Sequence, residues 1–269
     1  MLQRQLTYIF SSDPKNNATN ISPQGDQFTA VLYDPLHVPH HARYCTMEVQ
    51  SANIWNVIPN ISASLNNNKF VYSDGVNPGF YTITIPDGLY DLTSLAYTIG
   101  VAVDNQGIPL ALNWVDLFIF TGDQSTQKVL ITFMSNGLSI NFSLSTVRSI
   151  LGFLSTNPGV ANKGETLIGD EIARFNTISS FLIHASFINH GIPVNSISSG
   201  VIANVFIDSR PGSLINFTPQ VIPVANTNEL IGARLSSLSF SLTDQANNRV
   251  DTNGEYWSFT MIVRYYSDN

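Results

Sequence analysis

The sequence predicts an all-β protein: an antiparallel β-sandwich of jelly-roll type, interrupted by a small inserted α+β domain. Three observations carry that prediction. Long stretches toward both ends of the chain alternate apolar and short polar residues with period two, as strands with one buried face do. The clearest lies within residues 233–266, where Leu238, Phe240 and Leu242 occupy alternate positions of one run, and Trp257, Phe259, Met261, Val263 and Tyr265 those of another. Helical spacing is confined to the middle, at Leu92, Leu95, Ala96, Ile99, Ala102 and Val103 and again over 145–151. Finally, 43% of the residues are hydrophobic but only 12% are charged, about half the usual ~25%. Asn, Ser and Thr supply the polar faces instead, which suits strands and turns.

In chain order, residues 1–25 show a pattern only at 6–10, and 11–25 is rich in Asn, Ser, Pro and Gly. An N-terminal arm is expected, or an initial edge strand followed by a loop, able to fold onto a neighbouring subunit. Residues 27–33, with Phe28, Ala30 and Leu32 alternating, give a first core strand. Residues 43–58 give a long second one with Cys45, Met47, Val49 and Ser51 on one face, ended at Pro59. Short strands follow at 69–73 and 80–85, then a turn at Pro86-Asp87-Gly88 and a helix over 91–103, capped by Asp91 and ending before Gly107 and Pro109. Strands at 114–120, 128–133 and 138–144 come next, with a polar turn over 121–126 and a short helix capped by Ser145 and stopped by Gly152. Helices that present one apolar face need a sheet to cover, so 66–169, including a linker over 155–169, is expected as the inserted domain.

The strand pattern resumes at 181–188, 201–207, 214–217 and 221–224. The polar run 244–254 then turns the chain, and the arms on either side are expected to pair as one long hairpin. Residues 26–65 and 170–269 together supply about eight strands, the number of a jelly roll, as one discontinuous domain.

The net charge is −7, and the 12 Lys and Arg residues are scattered. Nothing concentrates cations as phosphate neutralisation demands, so direct nucleic-acid binding is not expected. The single cysteine, Cys45, excludes an intrachain disulfide and a multi-cysteine zinc cluster and is expected as a buried thiol. No apolar run approaches the ~20 residues of a membrane helix. Met1-Leu2-Gln3-Arg4 does not lead into a signal-peptide core, which gives the expectation of a soluble protein made and kept in the cytoplasm. The Asn-x-Ser/Thr triplets at Asn17, Asn20, Asn60, Asn141 and Asn216 would matter only in a secreted protein.

Each candidate site has a plainer reading. His37, His40 and His41 could ligate a metal, but the Pro-containing segment reads as a solvated strand-to-strand loop. Asp244, Asn247, Asn248 and Asp251 could hold a hard cation, yet a turn uses the same residues for its backbone. His184, between Leu182 and Ser186, is expected as a satisfied, partly buried histidine rather than a general base. Tyr256, Tyr265 and Tyr266 could stack on sugar rings, which makes a carbohydrate-binding β-sandwich the alternative from another functional class. No nucleophile elbow, zinc-protease helix or phosphate loop is present. An enzyme is therefore not expected, and no catalytic, cofactor or metal residues are assigned.

The run Thr82-Ile83-Thr84-Ile85-Pro86-Asp87-Gly88-Leu89-Tyr90-Asp91-Leu92, with Leu95 and Ile99, then Ile150-Leu151-Gly152-Phe153, residues 231–244 and Asn253-Gly254-Glu255, resembles jelly-roll capsid proteins. The likeness is to penton and minor capsid proteins of the adenovirus, virophage and polinton-like lineage of double-stranded DNA viruses, and it spans roughly residues 25–269. It implies a shell protein of an icosahedral virion, assembled inside the host cell, with a pentamer preferred. Its partners would be copies of itself, other capsid proteins and a host receptor met through the inserted domain. The runner-up within the class is a small, trimeric double jelly-roll major capsid protein. Low surface charge agrees with assembly, because uncharged polar and aromatic surface loses less on desolvation than Lys and Glu do.

Overall fold

The computed structural model describes residues 2–106, 117–193 and 200–267. The chain divides into two compact units, one made of Met1–Ile58 and Ile178–Asn269, the other of Pro59–Thr177. In the first, the strands are β1 (Leu2–Ser11), β2 (Ala18–Thr19), β3 (Gln27–His37) and β4 (Ala42–Trp55). The second holds β5 (Lys69–Ser73), β6 (Tyr81–Thr84), α1 (Leu92–Asn105), β7 (Phe118–Asp123), β8 (Lys128–Phe133), β9 (Ser139–Ile140), α2 (Arg148–Leu151) and β10 (Thr166–Ile168). The first unit then resumes with β11 (Ser180–Ala185), β12 (Val201–Phe206), β13 (Leu214–Phe217), β14 (Val224–Asn226), β15 (Arg234–Asp244) and β16 (Ser258–Ser267).

The first unit is a two-sheet sandwich. One sheet runs β1-β16-β4-β13, with β14 also on β4, and the other runs β12-β11-β15-β3-β2. Leaving aside the two-residue β2 and counting β13 with β14 as one broken strand, the eight strands in chain order fall into sheets 1-8-3-6 and 5-4-7-2. That connectivity, antiparallel throughout, is a jelly roll. Between the sheets lies an aromatic core. Phe10 meets Phe240 with ring centroids 4.7 Å apart, Phe28 meets Trp257 edge-on at 5.0 Å, and Phe240 meets Phe259 edge-on at 4.9 Å.

This connectivity overturns the expected terminal hairpin. The two arms do alternate as read, but β15 pairs with β3 and β11, while β16 pairs with β1 and β4. The residues between them carry the chain from one sheet to the other. Period-two alternation shows that each arm has one buried face, and a sandwich offers such faces on both sheets. The crossing is held by scattered bonds rather than by a ladder: Trp257 Nε1 donates to Gly25 O at 3.1 Å, and Thr252 donates to Gln24 O through both its N, at 2.9 Å, and its Oγ1, at 3.2 Å. At the other end of the chain, Leu2–Ser11 forms a ten-residue edge strand on β16, with Phe10 buried.

In β4, Cys45, Met47 and Val49 face the core as expected, but Ser51 does not. Opposite them, Met261 pairs with Val49 and Thr260 with Ser51, so Gln50 is an extra residue, a β-bulge. It resets the alternation, and Ala52 and Ile54 are the residues that continue the buried face.

The second unit builds its own core from two three-stranded sheets, β6-β5-β9 and β10-β8-β7, and the helices. Helix α1 begins at a capping box. Ser94 N donates to Asp91 Oδ1 at 2.7 Å, while Asp91 N donates to Ser94 Oγ at 3.0 Å. Its buried stripe is Leu95, Ala96, Ile99, Gly100 and Val103. The helix ends at Asn105, before Gly107 and Pro109 as expected, while the strand start expected at Trp114 lies outside the described residues. Three local expectations are corrected. Ser145 does not cap α2, because its hydroxyl is used by β5, accepting from Val71 N at 2.9 Å. The strand expected over 138–144 is only Ser139–Ile140, since Asn141 Oδ1 draws Ser143 Oγ and Leu144 N into a turn. The stretch expected as linker contains β10, paired to β8. Gly152 stops α2 in the left-handed region at φ 78°, and a Cβ there would lie 2.4 Å from Glu171 O. Among the described residues no helix is long and apolar enough to cross a membrane.

Candidate interaction surface

Several of the polar groups that the sequence singles out are occupied by structure. His184 lies half-buried on β11 with Nε2 2.8 Å from Thr243 Oγ1, and burial lowers its pKa from the ordinary 6.5. His37 Nδ1 lies 3.2 Å from Ala233 O, and the His40 ring packs where a Cβ on Gly232 would go. Asp244 spends its carboxylate on its own turn: Oδ1 accepts from Ala246 N and Asn248 N, both at 2.8 Å, and Oδ2 accepts from Asn248 Nδ2 at 3.0 Å. Asp251 does likewise with Asn253 N at 2.8 Å. Among the described residues no three His, Cys, Asp or Glu side chains are grouped to hold a metal ion.

Cys45 is a fully buried thiol whose pKa is raised, by burial first and against a hydrogen bond from Thr227 Oγ1 at 3.4 Å. Asn60 is buried and fully engaged, donating to Tyr90 O and Phe175 O and accepting from Tyr90 N, so its triplet is closed to modification in the folded protein. Of the tyrosines read as exposed, Tyr256 is half-exposed but Tyr265 belongs to the core. Trp257, one residue before β16, and Tyr265 within it share one parity, and that parity faces inward.

What remains is the periphery of the sandwich. On one flank, among the described residues, β1 pairs only with β16, leaving the other side of a ten-residue strand open. Beside it, β2 covers β3 only at Thr29 and Ala30. A groove of about 470 Å³ runs along this flank, lined by Tyr8, Ile9, Lys15, Asn17, Val31 and Leu32. Ile9 is 79% exposed there and Tyr33, further along β3, is 99% exposed. Proteins usually protect such edges with charge, proline or bulges. Here β1 carries one charged residue, Arg4, and no proline.

The opposite flank also ends in edge strands. Among the described residues β12 is laddered only to β11, with Val201 O accepting from Ile192 N at 2.7 Å, and β13 and β14 are laddered only to β4. Phe206, Val221 and Val224 stand exposed along it. One flank is thus grooved and the other carries projecting apolar side chains. Sequence reasoning missed this pairing of flanks, since it arises only when strands distant in the chain become sheet edges. The apolar residues at outward positions, Ile9, Val31 and Phe206, were the available signal.

No protein-family model matches the chain, and no curated protein matches it by sequence. Solved structures do match it in fold. The crystal structure of the mavirus penton protein superposes with a TM-score of 0.51 at 12% identity, over 99% of this chain and 100% of that one. A chain of the Sputnik virophage particle, solved by cryo-electron microscopy, gives a TM-score of 0.44 at 14% identity over 98% of both. The first likeness extends from end to end, so it takes in the jelly roll together with the unit inserted between β4 and β11.

Proposed function

We propose that this chain is a structural protein of an icosahedral viral shell, of penton type. It associates with copies of itself as a pentamer and with other shell proteins of the virion, which is assembled inside the host cell. Residues 59–177 serve a host receptor. The observation that carries this reading is the pair of bare, unlike flanks on one jelly roll. Two different patches cannot meet in an isologous dimer, but they can meet head to tail, and such contacts close into rings when the rotation permits. The end-to-end likeness in fold to the mavirus penton protein supports the same reading. A trimeric double jelly roll is disfavoured because the described residues of 59–177 build two three-stranded sheets and two helices rather than a second eight-stranded sandwich.

The test is the mass of the purified chain by light scattering, repeated with Ile9→Asp and Val31→Asp together. A pentamer that falls to monomer in the double variant, with its far-UV spectrum intact, supports the proposal. A trimer moves the assignment to a major capsid role. A strict monomer at high concentration that fails to enter particles with shell partners overturns it.

A further inference from the structure

The second unit contains a small open pocket whose chemistry differs from the bare flanks. It encloses about 290 Å³ and lies between the β9 turn and the loop 155–160. Its wall is uncharged: Ser139, Asn141, Ser143, Ser155 and Asn157 supply the polar groups, and Phe80 supplies a half-exposed ring.

The wall is also fixed in place. Asp170 accepts from Leu154 N at 2.8 Å and from Asn157 Nδ2 at 3.1 Å, while Asn157 Oδ1 accepts from Gly159 N at 3.0 Å. Gly159 sits at φ 63°, so close to β9 that a Cβ would lie 1.8 Å from Ile140 O. Beneath, Phe142 stacks on Phe153 with centroids 4.4 Å apart and planes 11° from parallel. With Asn157 spent on the loop, the hydroxyls of Ser139 and Ser155 and the amide nitrogen of Asn141 are the groups left to meet a ligand.

We infer that this pocket binds an uncharged carbohydrate. An aromatic face beside clustered hydroxyl and amide groups matches a pyranose ring, with its apolar C–H face on Phe80 and its hydroxyls on the serines and the asparagine. The lack of a charged side chain in the wall selects against acidic sugars, which would lose hydration without gaining a cation. The volume lies at the bottom of the roughly 300–1,000 Å³ range of ligand sites, which suits one or two rings at a chain end. This deepens the receptor part of the proposed function, and it holds or fails independently of assembly.

The experiment screens the purified full chain against an array of neutral and sialylated glycans, then measures the best neutral ligand by saturation-transfer NMR and calorimetry. Binding to a neutral terminal sugar is expected. Phe80→Ala should weaken it at least tenfold and Ser155→Ala several-fold, while Tyr97→Ala, which removes an exposed aromatic on α1 that does not line the pocket, should leave it unchanged. No neutral glycan bound, a preference for sialylated glycans, or binding that survives Phe80→Ala would overturn the inference. The oligomeric mass recorded on the same samples tests the shell assignment separately.

Discussion

The guanidinium of Arg249 grips the buried carboxylate of Asp26 through two nitrogens, Nε to Oδ2 at 2.6 Å and Nη2 to Oδ1 at 2.8 Å. Asp26 lies just before β3 and Arg249 lies on the crossing from β15 to β16, so one bidentate pair ties the crossing back to the start of β3, in the sheet it leaves. Removing the cation leaves Asp26 with the Ser22 hydroxyl at 2.5 Å as its one remaining side-chain partner. Stranding a carboxylate in a buried pair costs about 3–5 kcal/mol. Arg249 is 59% exposed, so water offsets part of that, and Arg249→Ala should cost about 2–3 kcal/mol. At about 2–4 °C per kcal/mol, its melting temperature should fall by more than about 4 °C. Arg249→Lys, which keeps charge without the fork, should fall between. Wild-type melting of the alanine variant would show that the crossing is held without this pair.

The bulge at Gln50 makes a sharper claim about register. Gln50 is exposed and sits between Val49, which faces the core, and Ser51, which does not. Deleting Gln50 lets Val49, Ser51 and Ala52 alternate in-out-in without a break. Deleting Asn53 instead moves Ile54 to the solvent side of β4, because a one-residue slip exchanges the faces. The first deletion should fold with a loss under about 2 kcal/mol, and the second should fail to give soluble, cooperatively melting protein. Equal behaviour of the two in urea titrations would mean that the bulge does not set the phase.

Local order was readable from the residues wherever neighbours in sequence settle it. Bounds 69–73, 128–133 and 214–217 coincide with β5, β8 and β13, because turn residues punctuate short alternating runs. The cap at Asp91 was readable for the same reason. What escaped was set by partners far away in the chain. Ser51 was given the wrong face because a bulge is defined by the opposing strand β16. Ser145 reads locally as a cap because its partner, the donor Val71 N, lies 74 residues earlier. The hairpin failed because a jelly roll sends successive strands to opposite sheets, so local pairing is the exception in it. The flank groove and the uncharged pocket each need three or more separated segments, and no spacing within one segment could announce them.

Asp74 gives a stability signal at acid pH. Burial alone would raise its pKa, but hydrogen bonds outweigh it and lower the value below the ordinary 3.8: Asn77 N at 2.9 Å, Val76 N at 3.0 Å, Asn77 Nδ2 at 2.7 Å and Tyr81 Oη at 3.3 Å. A depressed folded-state pKa means that the stabilisation is complete above about pH 4 and disappears as pH falls through the folded value. Asp74→Asn should therefore destabilise the protein at pH 7, by about 1–3 kcal/mol for the donors it leaves unsatisfied, with the gap from wild type narrowing as pH falls below about 4. A gap that stays constant across that range would remove the carboxylate's charge from the account.

His184 acts in a separate, milder window. With Thr243 Oγ1 donating to Asp244 O at 3.3 Å, His184 Nε2 can donate across the 2.8 Å contact in the tautomer that carries its proton there. That bond survives protonation of the ring, and burial is what protonation must overcome, hence the lowered pKa. For a base depressed in the folded state, the stabilisation is whole above the free value of 6.5 and is lost as pH falls from there toward the folded pKa. Between about pH 6.5 and 5, wild type should lose melting temperature while His184→Gln, which can still donate to Thr243 but cannot titrate, should stay nearly level. Carboxylates of ordinary pKa lie below this window, so a parallel decline in both proteins would assign the loss to another group. If the shell assignment is right, the same loss falls on β11, beside the edge strand β12, and acid should loosen assembled rings before it unfolds the chain. Light scattering at pH 5.5 on wild type and His184→Gln separates the two: dissociation confined to wild type places the acid response at this histidine, and dissociation of both places it in the flank contacts.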